Sequence, residues 1–106
     1  MTRLRINKHV VRQIDEIYSY IAHGSVQGAE NVVREIYAAF DLLLIHPRAG
    51  HQALRRNTHV LALSKYPYLI QYAYFPRLDE VRIRSVRHSA RRRTVQLREE
   101  PAEFRV

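Results

Sequence analysis

After a short alternating stretch at 3–6, the spacing of apolar residues changes near position 47, and this change constrains the fold more than any other feature. Before it, apolar residues recur every three or four positions, as they do on one face of an amphipathic helix. After it, they alternate with polar residues, which is the spacing of a half-buried strand. A chain that reads first as helices and then as strands is expected to fold as an α+β domain.

The first half of the chain predicts two helices joined by a short connection. The first runs from about 8 to 23, with Asn7 as its N-cap and Gly24 at its end. The second follows Ser25, another N-cap residue, and ends at Pro47, which cannot continue a helix. Because the connection is short, the two helices should form an antiparallel hairpin.

The remaining elements are four strands and a basic loop. The strands are predicted at 3–6, 58–64, 68–75 and 80–88, and the loop at 47–58. The resulting β-α-α-β-β-β order places the helix hairpin on one face of a small, mainly antiparallel sheet and leaves the opposite face uncovered. Val86 breaks the alternation of the last strand, so we expect a bulge near Ser85 or burial on both faces there.

Length and pattern predict a single domain with a short extension. We expect residues 1–93 to form the domain, and residues 94–106, which show no sustained period, to form a C-terminal arm ordered only by contacts. The chain has no cysteine, and its most apolar stretch, 38–45, is too short to span a bilayer. These features favour a cytoplasmic protein without a membrane partner.

Positive charge is concentrated in the second half of the chain. Residues 1–46 hold equal numbers of basic and acidic residues, whereas residues 47–98 hold twelve lysines and arginines and only two acids, Asp79 and Glu80. Such an asymmetry attracts an anionic partner, either nucleic acid or an acidic protein segment. We therefore expect the functional surface on the uncovered face of the sheet, which arginines and tyrosines partly line.

The sequence gives no support to metal, nucleotide or paired-carboxylate chemistry. The six histidines include no pair at i,i+4 spacing, and the three glycines are scattered instead of forming a phosphate loop. The paired acids are sequence neighbours in settings that predict exposure. We therefore expect neither a metal site nor a cofactor.

A set of basic residues could carry RNA cleavage without a metal. Such cleavage needs an acid, a base and cations at the phosphate, which a histidine and fixed arginines can supply. The available set is His88, Arg55, Arg56, Arg87 and Arg91. A second interpretation is that His88 ends a strand and hydrogen-bonds the backbone, and the spacing alone does not decide between the two.

Four tyrosines crowd the strand at 68–75 and its approach. They are Tyr66, Tyr68, Tyr72 and Tyr74. Nucleic-acid bases could stack on them, as on other aromatic platforms. Aromatic residues are also good strand formers with a large apolar surface, so core packing is the favoured interpretation.

Several segments in this order resemble a known toxin family. The segments are VVRQIDEIYSYIA, then IHPRAG, then an arginine before YPYLIQY, and finally VRIRSVRHSAR. Together they resemble the RelE/ParE superfamily of toxins from bacterial toxin–antitoxin modules over about residues 3–91. The ParE branch is the most similar, because Val86, His88 and Arg91 match its V-x-H-x-x-R ending.

The resemblance implies a fold, a partner and a target. It implies a strand, helix hairpin and sheet fold, and a cognate acidic antitoxin, similar to ParD, that wraps around the toxin and forms a hetero-oligomer with it. ParE-like members are associated with poisoning DNA gyrase by binding, without a catalytic site of their own. RelE-like members are ribosome-dependent mRNA endoribonucleases, which makes the ribosome and mRNA the alternative target.

The expected sites follow these hypotheses. For a nuclease, the catalytic residues would be His88, Arg55, Arg56 and Arg91. For a binding toxin, no catalytic residue is favoured, and the surface that contacts the target or the antitoxin would comprise Arg56, Tyr72, Arg82, Arg84, Arg87, His88, Arg91, Arg92 and Arg93. A third hypothesis is a basic binding module without toxic activity.

Overall fold

The computed structural model describes residues 1–90, which form two helices and a five-stranded sheet. The elements in chain order are β1 (Arg3–Ile6), α1 (Lys8–Ala22), α2 (Val26–Ile45), β2 (His51–Gln52), β3 (His59–Ala62), β4 (Tyr68–Phe75), a 3₁₀ turn (Pro76–Leu78) and β5 (Glu80–His88). The predicted α+β order is confirmed. The C-terminal arm predicted at 94–106 lies outside the described residues.

Local sequence signals position both helices as expected. The side chain of Asn7 accepts a hydrogen bond from the Val10 amide at 3.0 Å, and that of Ser25 accepts one from the Gly28 amide at 2.8 Å. Both bonds cap amides in the first turn of a helix, and the Val10 amide also donates to the Asn7 carbonyl at 3.1 Å. Within residues 1–90, neither helix is both long and apolar enough to cross a membrane.

The segment at 47–58 differs from its prediction as a loop, because it contains the short strand β2. β2 pairs with β3 in antiparallel register, and the Ala53 amide donates to the Thr58 carbonyl at 2.8 Å. A strand of only two residues shows no alternation in sequence. It is defined by pairing with β3, a contact that no pattern in the segment itself indicates.

The sheet has the order β1-β5-β4-β3-β2. β1 runs parallel to β5, and the other neighbouring strands are antiparallel. Between β4 and β5 the register shifts, because Gln71 lies opposite Ser85 while Tyr72 lies opposite Ile83, so Arg84 is the extra residue. The predicted bulge near Ser85 is confirmed, and burial of Ser85 next to Val86 accompanies it.

One core joins the helices to the inner face of the sheet. The buried cluster consists of Val10, Ile14, Val32, Ile36, Ala39, Phe40, Leu43, Tyr68, Ile70, Tyr72, Val81, Ile83 and Val86. Tyr66 and Tyr74 pack against this cluster while remaining partly exposed. The interpretation of the tyrosines as core residues is therefore confirmed for Tyr68 and Tyr72.

The outer face of the sheet is open at one side and covered at its centre. Arg82 on β5 is exposed, as are both arginines of β1, whereas Val60 and Ala73 on the central strands are buried. Arg84 contributes to this cover, since its side chain reaches from β5 across β4 to Thr58. The expected uncovered face is thus restricted to the side formed by β1 and β5.

Candidate functional site

The C-terminal end of β5 and the first helix enclose a groove of about 600 Å³. Its lining residues are His9, Arg12, Gln13, Glu16, Ile17, Tyr20, Tyr68, Val86, Arg87, His88 and Ala90. The groove combines basic groups with an apolar floor. A protein segment that carries both acidic and apolar side chains would complement such a surface.

Hydrogen bonds fix the strand end that forms one wall of this groove. The Val86 amide donates to the side-chain oxygen of Gln13 at 2.9 Å, which ties β5 to α1. The Ser89 amide donates to the Pro67 carbonyl at 2.8 Å, which extends the pairing with the segment before β4. Arg87 and His88 are therefore presented by backbone that is held on both sides.

His88 is anchored within the wall of the groove. Its Nδ1 accepts a hydrogen bond from the Ala90 amide at 3.1 Å, and its ring meets the Tyr68 ring edge to face at a centroid distance of 5.3 Å. With Nδ1 as acceptor, the neutral ring carries its proton on Nε2. The backbone contact agrees with the interpretation of His88 as a residue that ends a strand.

A second basic site lies where β1 meets β5. The carboxylate of Glu80 accepts a hydrogen bond from Arg82, and it lies 3.6 Å from the Arg3 guanidinium and 4.0 Å from that of Arg5. The hydrogen bond from Arg82, followed by the charges of Arg82, Arg5 and Arg3, lowers the pKa of Glu80 although burial opposes the shift. The Arg82 guanidinium also stacks 4.4 Å from the centroid of the Phe75 ring.

The centre of the outer face holds further arginines. Arg84 donates to the Thr58 hydroxyl at 3.0 Å, and that hydroxyl in turn donates to the Arg56 carbonyl at 3.2 Å. Burial, together with the charges of Arg55 and Arg82, lowers the pKa of the Arg84 guanidinium. Arg84 therefore lies among other cations, with a neutral hydroxyl as its hydrogen-bond acceptor.

The structure divides the residues that the nuclease hypothesis groups together. Arg87 and His88 line the groove, whereas Arg55 and Arg56 belong to the segment next to Thr58, which Arg84 contacts. Arg84 and His88 are four residues apart on β5, a distance of about 13 Å at the rise of a β-strand. Arg91, like Arg92 and Arg93, lies outside the described residues.

The predicted contact surface requires a correction at Tyr72, because this residue cannot contact a partner directly. Its side chain is fully buried. Its hydroxyl donates to the Pro47 carbonyl at 2.8 Å and accepts from the Gly50 amide at 2.9 Å. A side chain at Gly50 would clash with the Tyr72 ring and the Val60 carbonyl, so these residues hold the segment after α2 against the sheet.

The sequence prediction missed two groups of residues. The first is Arg3 and Arg5, which meet Glu80 only because β1 pairs in parallel with β5. The second is the part of α1 that lines the groove, including His9 and Arg12. The alternation of β1 indicated that its arginines face away from the core, but no local signal identified their neighbours. Within residues 1–90, no group of side chains suited to a metal ion is present.

Comparison of whole structures defines the class of this protein as a RelE/ParE-type toxin fold. A chain of the chromosomal ParDE toxin–antitoxin system from P. aeruginosa superposes with a TM-score of 0.70 at 19% identity, over 83% of this chain and 96% of that chain. The isolated E. coli RelE toxin superposes with a TM-score of 0.64 at 16% identity, over 89% of this chain and 90% of that chain. At these sequence identities the two comparisons support a shared fold and nothing further.

Sequence comparison assigns the family. The family described as the ParE toxin of the type II toxin–antitoxin system, parDE, matches residues 4–93, and the chain belongs to this family. A curated relative, the putative toxin Y4kP of Sinorhizobium fredii (strain NBRC 101917 / NGR234), is 34% identical over 70 residues, which span 66% of this chain and 73% of the relative. The resemblance drawn from the sequence motifs is thereby confirmed.

Proposed function

We propose that this ParE-family toxin inhibits growth by binding and poisoning DNA gyrase, and that a cognate acidic antitoxin similar to ParD neutralises it. The observation that carries this proposal is the separation of His88 from Arg55, Arg56 and Arg84. This arrangement supports a binding surface more than a catalytic centre, because acid–base chemistry requires its groups within hydrogen-bonding reach of the same substrate.

The groove supports the antitoxin part of the proposal. It offers the cationic side chains of Arg12 and Arg87 beside the apolar surfaces of Ile17 and Tyr20. An acidic antitoxin segment could pair its carboxylates with the arginines and bury its apolar side chains on the floor. We expect a hetero-oligomer in the cytoplasm, and co-purification with the product of a neighbouring acidic reading frame would test it.

The gyrase proposal is tested by a supercoiling assay with purified toxin. The toxin should block supercoiling or trap cleaved DNA at roughly stoichiometric concentration. The double variant Arg87→Gln/His88→Gln should need at least about tenfold more protein, which corresponds to about 1.4 kcal/mol of lost binding. Arg34→Gln, on the exposed side of α2, is the matched control and should act like the unmodified toxin. Gyrase that stays active in excess toxin would contradict the proposal.

One observation favours a second candidate, a ribosome-dependent endoribonuclease. His88 shares the groove with His9 and Glu16, so three groups capable of proton transfer line one cavity. In this case programmed ribosomes should yield cut mRNA, and His88→Ala should slow cleavage by about 10²-fold or more. Intact mRNA would exclude this candidate. If expression without antitoxin leaves growth unaffected, the chain is the basic binding module without toxic activity.

A further inference from the structure

Three arginines share one carboxylate at the junction of β1 and β5. We call Arg3, Arg5 and Arg82 the Glu80 arginine cluster, because Glu80 contacts all three. The Glu80 side chain is 3% exposed, whereas the arginine side chains are 66%, 70% and 46% exposed. The carboxylate is therefore enclosed while guanidinium donors face solvent, and the cluster keeps an excess of two positive charges.

The positive charge continues from this cluster across the sheet. Arg84 is close enough to both Arg82 and Arg55 for its charge to interact with theirs. Among the strands of the described chain, Glu80 is the only acidic residue. Asp79, directly before β5, also lies near Arg3, but it pairs with the N-terminal amino group of Met1 at 3.3 Å, so the outer face keeps a cationic track from β1 towards the segment at 53–58.

The distribution of apolar surface indicates which kind of polyanion fits. Within residues 1–90, the exposed large apolar side chains lie on the helices, at the chain start, and on Leu54 and Leu78, and none belongs to a strand. Protein partners bury aromatic or aliphatic anchors at the centre of an interface. Nucleic acid instead binds basic surfaces mainly through its phosphates, without such anchors. The strands of the outer face carry basic side chains without exposed apolar anchors, as a surface that binds nucleic acid does.

We infer that the Glu80 arginine cluster binds the phosphodiester backbone of a nucleic acid. Arg5 and Arg82 occupy directly opposed positions on neighbouring strands, so their side chains leave the same face side by side. The planar fork of each guanidinium group matches two phosphate oxygens. Glu80 acts as a positioning residue that holds the arginines together. Contacts of this kind do not read base sequence.

This site is distinct from the groove to which the gyrase proposal assigns target and antitoxin binding. The groove is lined by α1 and the C-terminal end of β5, whereas the cluster lies at the N-terminal end of β5. The inference requires no activity of gyrase. Its test can therefore be made with the purified toxin and nucleic acid alone.

The first experiment measures binding of labelled nucleic acid by fluorescence anisotropy across a range of salt concentrations. The probes are a 20-bp duplex DNA and a single-stranded RNA of the same length, which distinguish the two sources of phosphate. For Arg3→Gln/Arg5→Gln we expect affinity for the preferred probe to fall by about tenfold or more near 0.1 M salt. The slope of log affinity against log salt should become shallower by about 1.8 for duplex DNA.

The matched control removes the same charge from the helical side. Lys8→Gln/Arg34→Gln changes two exposed cations that contact neither Glu80 nor the outer face. It should retain affinity within about twofold and keep the salt slope. Equal losses in both double variants would overturn the inference, because they would show an effect of net charge alone. The inference would also be overturned if poly-glutamate displaced the labelled probe as well as unlabelled nucleic acid does at the same concentration of negative charge.

Two single variants test the positioning role of Glu80 and the contribution of the planar guanidinium group of Arg82. Glu80→Gln makes the protein more positive, which would strengthen a purely electrostatic attraction, yet we expect weaker binding because the arginines lose their common carboxylate and keep only one neutral acceptor oxygen. Arg82→Lys keeps the charge but removes the planar fork, and should also weaken binding by several-fold. Unchanged or stronger binding in Arg82→Lys, with far-ultraviolet circular dichroism that reports a folded chain, would contradict the inference.

Discussion

At the scale of single residues, Tyr72 shows how one hydroxyl group organises a basic segment. Its hydrogen bonds to Pro47 and Gly50 tie the chain that follows α2 to the sheet. Tyr72→Phe keeps the ring but leaves a partly buried amide and carbonyl without this partner. We expect the free energy of unfolding to fall by about 1–3 kcal/mol, measured by chemical denaturation. Tyr20→Phe, at a side chain 79% exposed, should change it by less than about 0.5 kcal/mol.

His59 predicts a pH dependence of stability. Burial, followed by the charge of Arg48, lowers the pKa of His59 below 6.5, and its Nδ1 is buried without a hydrogen-bond partner among the described residues. The ring stacks on Tyr72 at a centroid distance of 5.3 Å, and the lowered pKa favours the neutral ring in the folded state. The unfolded chain binds a proton more readily, so stability is complete above the ordinary pKa of about 6.5 and declines as pH falls towards the lowered value.

This pH dependence is measured as the free energy of unfolding at several pH values between 7.5 and 5. His59→Phe keeps an aromatic ring for the stack and removes the titrating group, so the decline below about pH 6.5 should become smaller. His51→Gln, at an exposed position on β2, is the control and should retain the original profile. An unchanged profile in His59→Phe would show that the decline arises at other groups.

Residue-scale features differ in how far sequence could predict them. The alternation of β4 favoured Tyr72 as a core residue, because each second residue of a strand shares a face, although the predicted contact surface also included Tyr72. Its hydroxyl partners could not be predicted, since Pro47 and Gly50 lie more than twenty residues away in an irregular segment. The Glu80 arginine cluster depends in the same way on which strand lies next to β5.

At the scale of elements, the connection between β1 and α1 depends on one cap. Asn7 follows β1 directly, and its side chain accepts a hydrogen bond from the Val10 amide, which also donates to the Asn7 carbonyl. We expect Asn7→Ala to lower the free energy of unfolding by about 1 kcal/mol, within a range of about 0.5–2 kcal/mol. Thermal unfolding followed by circular dichroism measures this loss. Glu30→Ala, at an exposed position inside α2, should have little effect; a similar loss there would contradict the capping role.

The elements with a sustained period were predicted well, and those without one were not. The strands β4 and β5 were predicted with the bounds that the structure has, because runs of eight or nine strand-forming residues between turn signals define a strand even though Val86 breaks the alternation of β5. The four-residue β3 was predicted too long, and β2 was not predicted. β2 and β3 are defined largely by pairing with a neighbour, whereas β1, also four residues long, was predicted with its observed bounds because Leu4 and Ile6 alternate with arginines.

At the scale of the whole molecule, the fold separates two kinds of surface. The exposed apolar side chains lie mostly on the helical side, whereas the strands present arginines outward. The sequence predicted the excess of positive charge and its location in the second half. It did not predict that Arg3 and Arg5 from the neutral first half would join it, because the parallel pairing of β1 with β5 is a long-range contact.

A single core also predicts how the whole molecule responds to a cavity. Phe40 is 1% exposed in α2, within the cluster that contains residues of α1, β4 and β5. Phe40→Ala should lower the free energy of unfolding by about 3–5 kcal/mol, a large part of the 5–15 kcal/mol typical of one domain. Because the helices and the sheet share this core, circular dichroism and tyrosine fluorescence should report the same unfolding midpoint. Phe40→Leu should lower the free energy of unfolding by clearly less than Phe40→Ala does. Separate midpoints for the two signals would show that the helix hairpin and the sheet unfold independently.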